Sequence, residues 1–208
     1  MLSKKEKNKL KNKVEEIEKK TDAEIVPMVL PESDLYPEAH LRLAILLSFL
    51  ACGVYYFLPF YVSDPIIFLW IQAGGLIVGY FLTFIDPIKR FLLLKTEVEE
   101  EVHQRALQAF YHQGVHETRD RTGVLVLISM LEHRVEILVD TSIAQKINDS
   151  TWEDQVSKLV DKIKNKQLAE GLENCLEEIG ETLSQDFPKT EGNQNELKNS
   201  VLTQDDAD

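Results

Sequence analysis

The stretch RTGVLVLISMLEHRVEILVD, residues Arg121–Asp140, decides the fold. Its first part, GVLVLISML (Gly123–Leu131), is apolar on both faces, as expected of a central strand that is covered on both sides. A tight turn at Glu132-His133 then leads into RVEILVD (Arg134–Asp140). The two segments are therefore predicted to pair as antiparallel neighbours in one sheet.

A third strand and several helices surround this hairpin. The segment AEIVPMVL (Ala23–Leu30) is rich in branched residues and predicts a strand, which Pro27 places at the edge of the sheet or marks with a bulge. Amphipathic helices are predicted at Lys4–Lys20, Leu92–Gly114, Ser142–Asn148, Trp152–Lys164 and Leu168–Phe187. Strands with helices before, between and after them indicate an α/β layered domain.

Between the first and second strands lies a long apolar region in which Asp64 is the single formal charge from Leu43 to Ile85. It divides into Leu43–Val62 and Pro65–Ile85, each about 30 Å long as a helix, which is the thickness of a bilayer's hydrocarbon core. A pair of buried helices in a soluble bundle is the alternative, but such helices usually carry a polar stripe and these do not. We therefore expect a transmembrane hairpin whose turn is Ser63-Asp64-Pro65.

The charges that flank the two spans predict their orientation. Arg42 precedes the first span, Lys89, Arg90 and Lys95 follow the second, and the turn carries no positive charge. The positive-inside rule then places both termini in the cytoplasm, as in an integral protein of the cytoplasmic or inner membrane. No apolar run in the first 20 residues suggests a signal peptide.

Composition limits the partners that can be expected. The 208 residues carry a formal net charge of -12, and residues 151–208 hold many more acidic than basic side chains, so nucleic acid is not an expected partner. The expected partners are the lipid bilayer and another membrane or cytoplasmic protein. The cysteines Cys52 and Cys175 fall in a span and in a soluble helix, so they are not expected to pair with each other.

One charged cluster is a candidate metal site. Because antiparallel strands return to the same edge, Asp120 and Arg121 are expected to lie near Asp140. Together with Glu32 or Asp34, Asp140 could hold a hard cation through carboxylate oxygens. The alternative is that Asp140 caps the helix that follows it, while the arginines pair with neighbouring acids.

Other signals of catalysis or metal binding are weak. The chain has no phosphate-binding glycine loop, no Cys-x-x-Cys pair and no serine elbow. His112 and His116 have the spacing of a metal-binding pair on a helix, but Gly114 between them is expected to end that helix. No cofactor is expected, apart from the divalent cation considered above.

The order of several segments resembles the TPM domain family. These segments are TDAEIVPMVLPESDLY (Thr21–Tyr36), Arg121–Asp140, Gly171-Leu172, Phe187-Pro188 and Asn195-Glu196-Leu197. The resemblance covers roughly residues 5–42 and 98–200. It implies an α/β/α sandwich with a small central sheet, here interrupted by the two-helix transmembrane hairpin. Family members are associated with photosystem repair, receptor accessory roles, divalent-cation binding and acid phosphatase activity.

These inferences predict four segments and leave two functions open. The segments are the N-terminal helix and strand (1–40), the hairpin (41–88, with spans of about 43–62 and 65–85), the remainder of the cytoplasmic domain (89–188) and a disordered acidic tail (189–208). The first function is a membrane-anchored, non-catalytic interaction or assembly module at the cytoplasmic membrane face. The second is a metal-assisted phosphatase or other hydrolase, which rests on the family resemblance.

Overall fold

A computed structural model describes residues 2–58, 64–190 and 195–204 of the chain. These residues form two compact units. The first consists of Met1–Ser33 and Glu100–Asp208, and the second is Asp34–Glu99. The second unit is thus inserted between two parts of the first, and its bounds are wider than the predicted insertion of 41–88.

Within the described residues the chain forms three strands and eight α-helices. The strands are β1 (Glu24–Leu30), β2 (Gly123–Ser129) and β3 (Arg134–Val139). The helices are α1 (Lys4–Glu18), α2 (Pro37–Phe57), α3 (Pro65–Leu82), α4 (Asp86–Leu92), α5 (Lys95–His112), α6 (Thr141–Lys146), α7 (Asp149–Lys164) and α8 (Leu168–Asp186).

The strands form one sheet in the order β1-β2-β3. β1 runs parallel to β2, with Ile25 opposite Val124, and β3 runs antiparallel to β2, with Val139 opposite Val124. All seven residues of β2 are buried, which confirms that it is the central strand. Pro27 lies in β1 at the edge of the sheet, as predicted, because proline cannot donate a hydrogen bond to a second neighbour.

The turn between β2 and β3 is longer than predicted. β2 ends at Ser129 and β3 begins at Arg134, so four residues make the connection rather than Glu132-His133 alone. His133 has a φ of 51°, in the left-handed region. That conformation reverses the chain direction immediately before β3.

Helices cover both faces of the sheet. Val124, Val126 and Ile128 face a core that is completed by α1, α6, α7 and α8. On the opposite face, Leu127 lies beside Glu136, whose carboxylate is 2.9 Å from His103 Nδ1 of α5. The first unit is therefore an α/β/α sandwich around a small sheet, as the sequence predicted.

Two lysines of α1 pair with glutamates of α8. Lys9 lies 2.6 Å from Glu173 and Lys13 lies 2.8 Å from Glu177. Between the two helices Gly180 allows a close approach, because a Cβ there would lie 2.5 Å from a side-chain carbon of Ile17. The lysine-rich start of the chain thus belongs to a packed helix with acidic partners.

The second unit contains the two apolar helices, α2 and α3. They have 21 and 18 residues with mean hydropathies of 1.5 and 1.8, and by length and composition each could span a membrane. Both end before the predicted bounds of the spans, at Phe57 and Leu82. In the predicted turn, Asp64 caps α3 by accepting a hydrogen bond from the Ile66 N–H at 2.9 Å, whereas Ser63 lies outside the described residues.

Part of the predicted disordered tail is packed on the sheet. Leu202 forms a bridge with Met28 of β1, and both Val201 and Leu202 are buried. The polar composition of the tail suggested disorder, but this apolar pair gives residues 195–202 a contact with the sheet. Of the remaining tail residues, 191–194 and 205–208 lie outside the described part of the chain.

Candidate functional site

The sheet topology separates the residues of the predicted metal cluster. Glu32 follows β1, beyond the end of the sheet where Leu30 pairs with Ser129, whereas Asp140 follows β3 beside Gly123 at the other end. Seven strand residues separate these two ends, a distance of about 20 Å. The predicted cluster of Asp140 and Glu32 is therefore wrong, because β1 runs parallel to β2 and carries Glu32 away from Asp140.

Asp34, the other proposed partner, belongs to the inserted unit. Its carboxylate accepts a hydrogen bond from the backbone N–H of Tyr36 at 2.7 Å. Tyr36 has a φ of 51° and immediately precedes α2. Asp34 thus stabilises the chain reversal that leads into α2.

Asp120, Arg121 and Asp140 do converge, as their strand positions predicted. The carboxylate of Asp140 caps α6 by accepting a hydrogen bond from the Thr141 N–H at 2.6 Å, and its second oxygen lies 3.8 Å from an Arg121 guanidinium nitrogen. Asp120 is exposed, and its backbone carbonyl accepts a hydrogen bond from the Ser142 hydroxyl at 2.7 Å. This geometry matches the helix-cap alternative.

The histidine pair is not presented on one helix. His112 is the last residue of α5, and Gly114 follows with a φ of 68°. His116 lies in a 3-10 turn, with its ring 4.8 Å from that of Tyr111. Across the described part of the chain, no three His, Cys, Asp or Glu side chains group as metal ligands would.

Two buried carboxylates that the sequence analysis missed lie at the start of β1. Glu18 ends α1 and is 6% exposed, and Glu24 begins β1 and is 2% exposed. Glu18 accepts hydrogen bonds from the Ile25 N–H at 3.1 Å and from the Asn199 amide nitrogen. The two oxygens of Glu24 accept hydrogen bonds from the backbone N–H groups of residues 196 and 197, each at 3.3 Å.

Burial shifts the titration of both groups. It raises the pKa of Glu18 to about 8, although the hydrogen bond from the Ile25 N–H favours the charged form. The charge of Glu24 raises the pKa of Glu18 further, and that of Lys189 lowers it. Burial also raises the pKa of Glu24, against the backbone hydrogen bonds from the tail. The two carboxylates thus accept hydrogen bonds from the protein itself, and these bonds offset part of the free energy lost when the carboxylates are removed from water.

A weak signal for Glu18 is present in the sequence. Leu10, Val14 and Glu18 follow one another at intervals of four, so Glu18 occupies the apolar stripe of α1. An acidic residue in such a position is buried when a polar partner reaches it. That partner is Asn199, which lies 181 positions away along the chain.

The same region closes the outer edge of β1. Glu18 accepts the hydrogen bond of the Ile25 N–H, Pro27 has no N–H group, and the Val29 N–H donates to the Leu202 carbonyl at 3.0 Å. The Leu202 N–H donates in turn to the Pro27 carbonyl at 2.9 Å. A carboxylate, a proline and the tail residue Leu202 thus satisfy or remove the donors of an edge that would otherwise be open to pairing.

In the inserted unit, α2 and α3 meet through small residues. A Cβ on Gly75 would lie 2.6 Å from the Ser48 Cα, and one on Gly79 would lie 2.5 Å from the Ala44 Cα. The small residues of each helix are four positions apart, and they allow the two backbones to touch. This is the small-xxx-small arrangement by which helices associate in lipid. The outer surface of the pair remains apolar, and Trp70, for example, is 72% exposed.

Polar contacts hold the base of the hairpin. The guanidinium of Arg42 forms two hydrogen bonds with the Glu97 carboxylate, one of them at 2.9 Å, and donates to the Leu92 carbonyl at 3.2 Å. The ammonium of Lys89 lies 5.6 Å from the centre of the Tyr36 ring. The start of α2 is thus tied to α4 and to the first turn of α5.

Comparison with known proteins finds a family match in part of the chain. Residues 90–182 match the family model of the TPM domain. This part of the chain therefore resembles the TPM domain family. The NMR structure of the BA42 protein from the psychrophilic bacterium Bizionia argentinensis is similar, with a TM-score of 0.61 over 98% of this chain and 95% of its own, at 16% sequence identity. At that identity the likeness concerns the fold. No curated protein matches the sequence.

The TPM match includes only some of the residues described above. It includes β2, β3, Asp120 and Asp140, but ends before the tail and begins after α2 and α3. The carboxylates of Glu18 and Glu24 therefore lie in the N-terminal part of the chain, outside the matched residues. The apolar hairpin and the residues that close the outer edge of β1 also lie outside the matched residues.

Proposed function

We propose that this protein is a membrane-anchored TPM-domain protein whose helical hairpin crosses the bilayer and holds the domain at the cytoplasmic face as a non-catalytic binding module. One observation carries the proposal: α2 and α3 bury small residues against each other and leave their large apolar side chains outside. Only 17% of the apolar stretch of α2 and 11% of that of α3 are buried. A soluble helix pair would bury its large side chains and expose its small ones.

The orientation follows from the basic residues at the base of the hairpin. Arg42, Lys89, Arg90 and Lys95 all lie at the end of the helix pair that adjoins the TPM domain in sequence. The opposite end carries Asp64, which caps α3. Positive charge on the domain side supports a cytoplasmic TPM domain and a hairpin turn on the outer side.

The contacts of the acidic side chains support a binding role over hydrolysis. A catalytic carboxylate must reach its substrate. Glu18 and Glu24 instead accept hydrogen bonds from the chain itself, and Asp140 caps α6. The partner we propose is another membrane or cytoplasmic protein, which affinity capture from detergent-solubilised membranes followed by mass spectrometry would identify.

Cysteine labelling tests the topology. In a Cys52→Ser, Cys175→Ser background, a cysteine that replaces Ser63 is expected to react with a membrane-impermeant thiol reagent in intact cells. A cysteine that replaces the exposed Glu153 of α7 is expected to react only after lysis. The reverse pattern contradicts the orientation, and labelling of both positions in intact cells contradicts the cytoplasmic location of the domain.

A hydrolysis assay tests the absence of catalysis. The full chain in detergent is expected to leave a generic phosphomonoester unchanged, with or without millimolar Mg²⁺ or Ca²⁺. Activity that depends on the metal and disappears in Asp140→Asn would instead establish a metal-assisted phosphatase, since Asn keeps the capping acceptor and loses the charge.

A further inference from the structure

The short helix α4 has one face that is fixed by the rest of the inserted unit. Lys89 is buried and lies over the Tyr36 ring, and the carbonyl of Leu92 accepts the hydrogen bond from Arg42. These contacts hold α4 beside the first turns of α2. The helix is thus located at the base of the hairpin, where the spans end.

The other face of α4 and the residues after it combine large apolar side chains with positive charge. Phe91 is 88% exposed and Leu94 is 52% exposed. Arg90 and Lys95, each adjacent to one of them in sequence, are exposed as well. This composition is typical of segments that lie in the interface of a membrane, where apolar side chains enter the lipid and cationic groups meet the phosphates.

The segment between α3 and α4 adds further apolar side chains. Phe84 and Ile85, which connect α3 to α4, are also exposed large apolar residues. Four exposed apolar side chains within residues 84–94, at the base of a membrane hairpin, would be costly to hydrate. The bilayer that surrounds the proposed spans extends to this position, so lipid is the nearest apolar environment for them.

We propose that α4 lies in the cytoplasmic headgroup layer, with Phe91 and Leu94 inserted among the lipid chains and with Arg90 and Lys95 at phospholipid phosphates. The occupant of this surface is the phospholipid of the same bilayer. The inference rests on the proposed membrane crossing and adds a third contact with the membrane. It also assigns a function to the basic residues, which bind headgroups in addition to setting the topology.

Spin labels on the full chain test this position. In the Cys52→Ser, Cys175→Ser background, single cysteines replace Phe91, the mid-span Ile77 or the exposed Glu153, and the protein is reconstituted in vesicles of phosphatidylcholine and phosphatidylglycerol. The ratio of oxygen to nickel-chelate accessibility reports depth in the bilayer. We expect a high ratio at residue 77, an intermediate ratio at residue 91 that is several-fold above that at residue 153, and a low ratio at residue 153.

A second variant tests the charges. Arg90→Gln combined with Lys95→Gln is expected to lower the ratio at residue 91, because the cations no longer hold the helix at the phosphates, whereas Lys166→Gln leaves it unchanged. A ratio at residue 91 equal to that at residue 153, with residue 77 still deep, overturns the interfacial position of α4 alone. A low ratio at residue 77 overturns the membrane crossing itself. An unchanged ratio in the double variant overturns the phosphate contact.

Discussion

Replacement of Glu18 by Gln should destabilise the protein at acidic pH and stabilise it at alkaline pH. Burial raises the pKa of Glu18 from 4.5 to about 8, so the native state retains a proton that the unfolded state releases. The stability that protonated Glu18 contributes is therefore fully present below pH 4.5 and is lost as the pH rises from there through 8. Gln cannot ionise, so the variant does not lose stability in this window.

The magnitude follows from the pKa difference. One pKa unit corresponds to about 1.4 kcal/mol, so ionisation of Glu18 costs the wild-type protein on the order of 4 kcal/mol by pH 8. Gln has a cost of its own, because its NH₂ group would face the amide nitrogen of Asn199, which donates to Glu18. That mismatch costs about 1 kcal/mol. Glu18→Gln is therefore expected to destabilise by about 1 kcal/mol at pH 4.5 and to stabilise by about 3 kcal/mol at pH 8.

Urea unfolding of the full chain in detergent measures this effect. The fluorescence of the buried Trp152 reports on the first unit once Trp70→Phe has removed the other tryptophan. Glu16→Gln is the matched control, since Glu16 lies on the same helix and is exposed with Lys20 as its partner. A loss of stability in Glu18→Gln that is equal at pH 4.5 and pH 8 would falsify the buried, protonated state of Glu18.

Further predictions concern the hairpin, the tail and the cap of α6. Gly79→Leu should separate α2 from α3, because even its Cβ would lie 2.5 Å from the Ala44 Cα, whereas Gly74→Ala meets nothing within 4 Å; the fraction that stays monodisperse in detergent after heating distinguishes them. Truncation after residue 194 should cause aggregation, seen by light scattering, because it opens the β1 edge, and truncation after residue 204 should not. Asp140→Ala should lose about 1 kcal/mol in urea unfolding and Asp140→Asn much less, with no Ca²⁺-dependent change in Tm for the wild-type protein.

The elements that could be predicted from the sequence are those with a local pattern. β2 is apolar from Val124 to Ile128, and the region from Leu43 to Ile85 carries a single formal charge, Asp64. Each pattern indicates whether its own residues face solvent, protein or lipid, and this does not depend on the order in which the elements are connected. The bounds of these elements were less accurate, as the early end of α2 at Phe57 illustrates, because composition does not mark where a helix stops inside an apolar run.

The candidate site was predicted less well, because its residues meet through the topology. Asp120 and Asp140 were expected together, since a hairpin fixes their proximity. Glu32 was expected there too, and the parallel direction of β1 places it at the other end of the sheet. Glu18 and Asn199, which no local pattern links, form a buried hydrogen bond.

The sequence by itself determined the α/β class, the central position of β2 and the apolar hairpin between β1 and β2. Periodicity and charge specify these features, because the polarity of each side chain must match that of its local environment. This match does not depend on which distant residues provide that environment. Only the tertiary structure decided that the tail closes the β1 edge and that Glu18 and Glu24 are buried beneath it. Those contacts join residues more than 170 positions apart, and their energies depend on the burial that the complete fold creates.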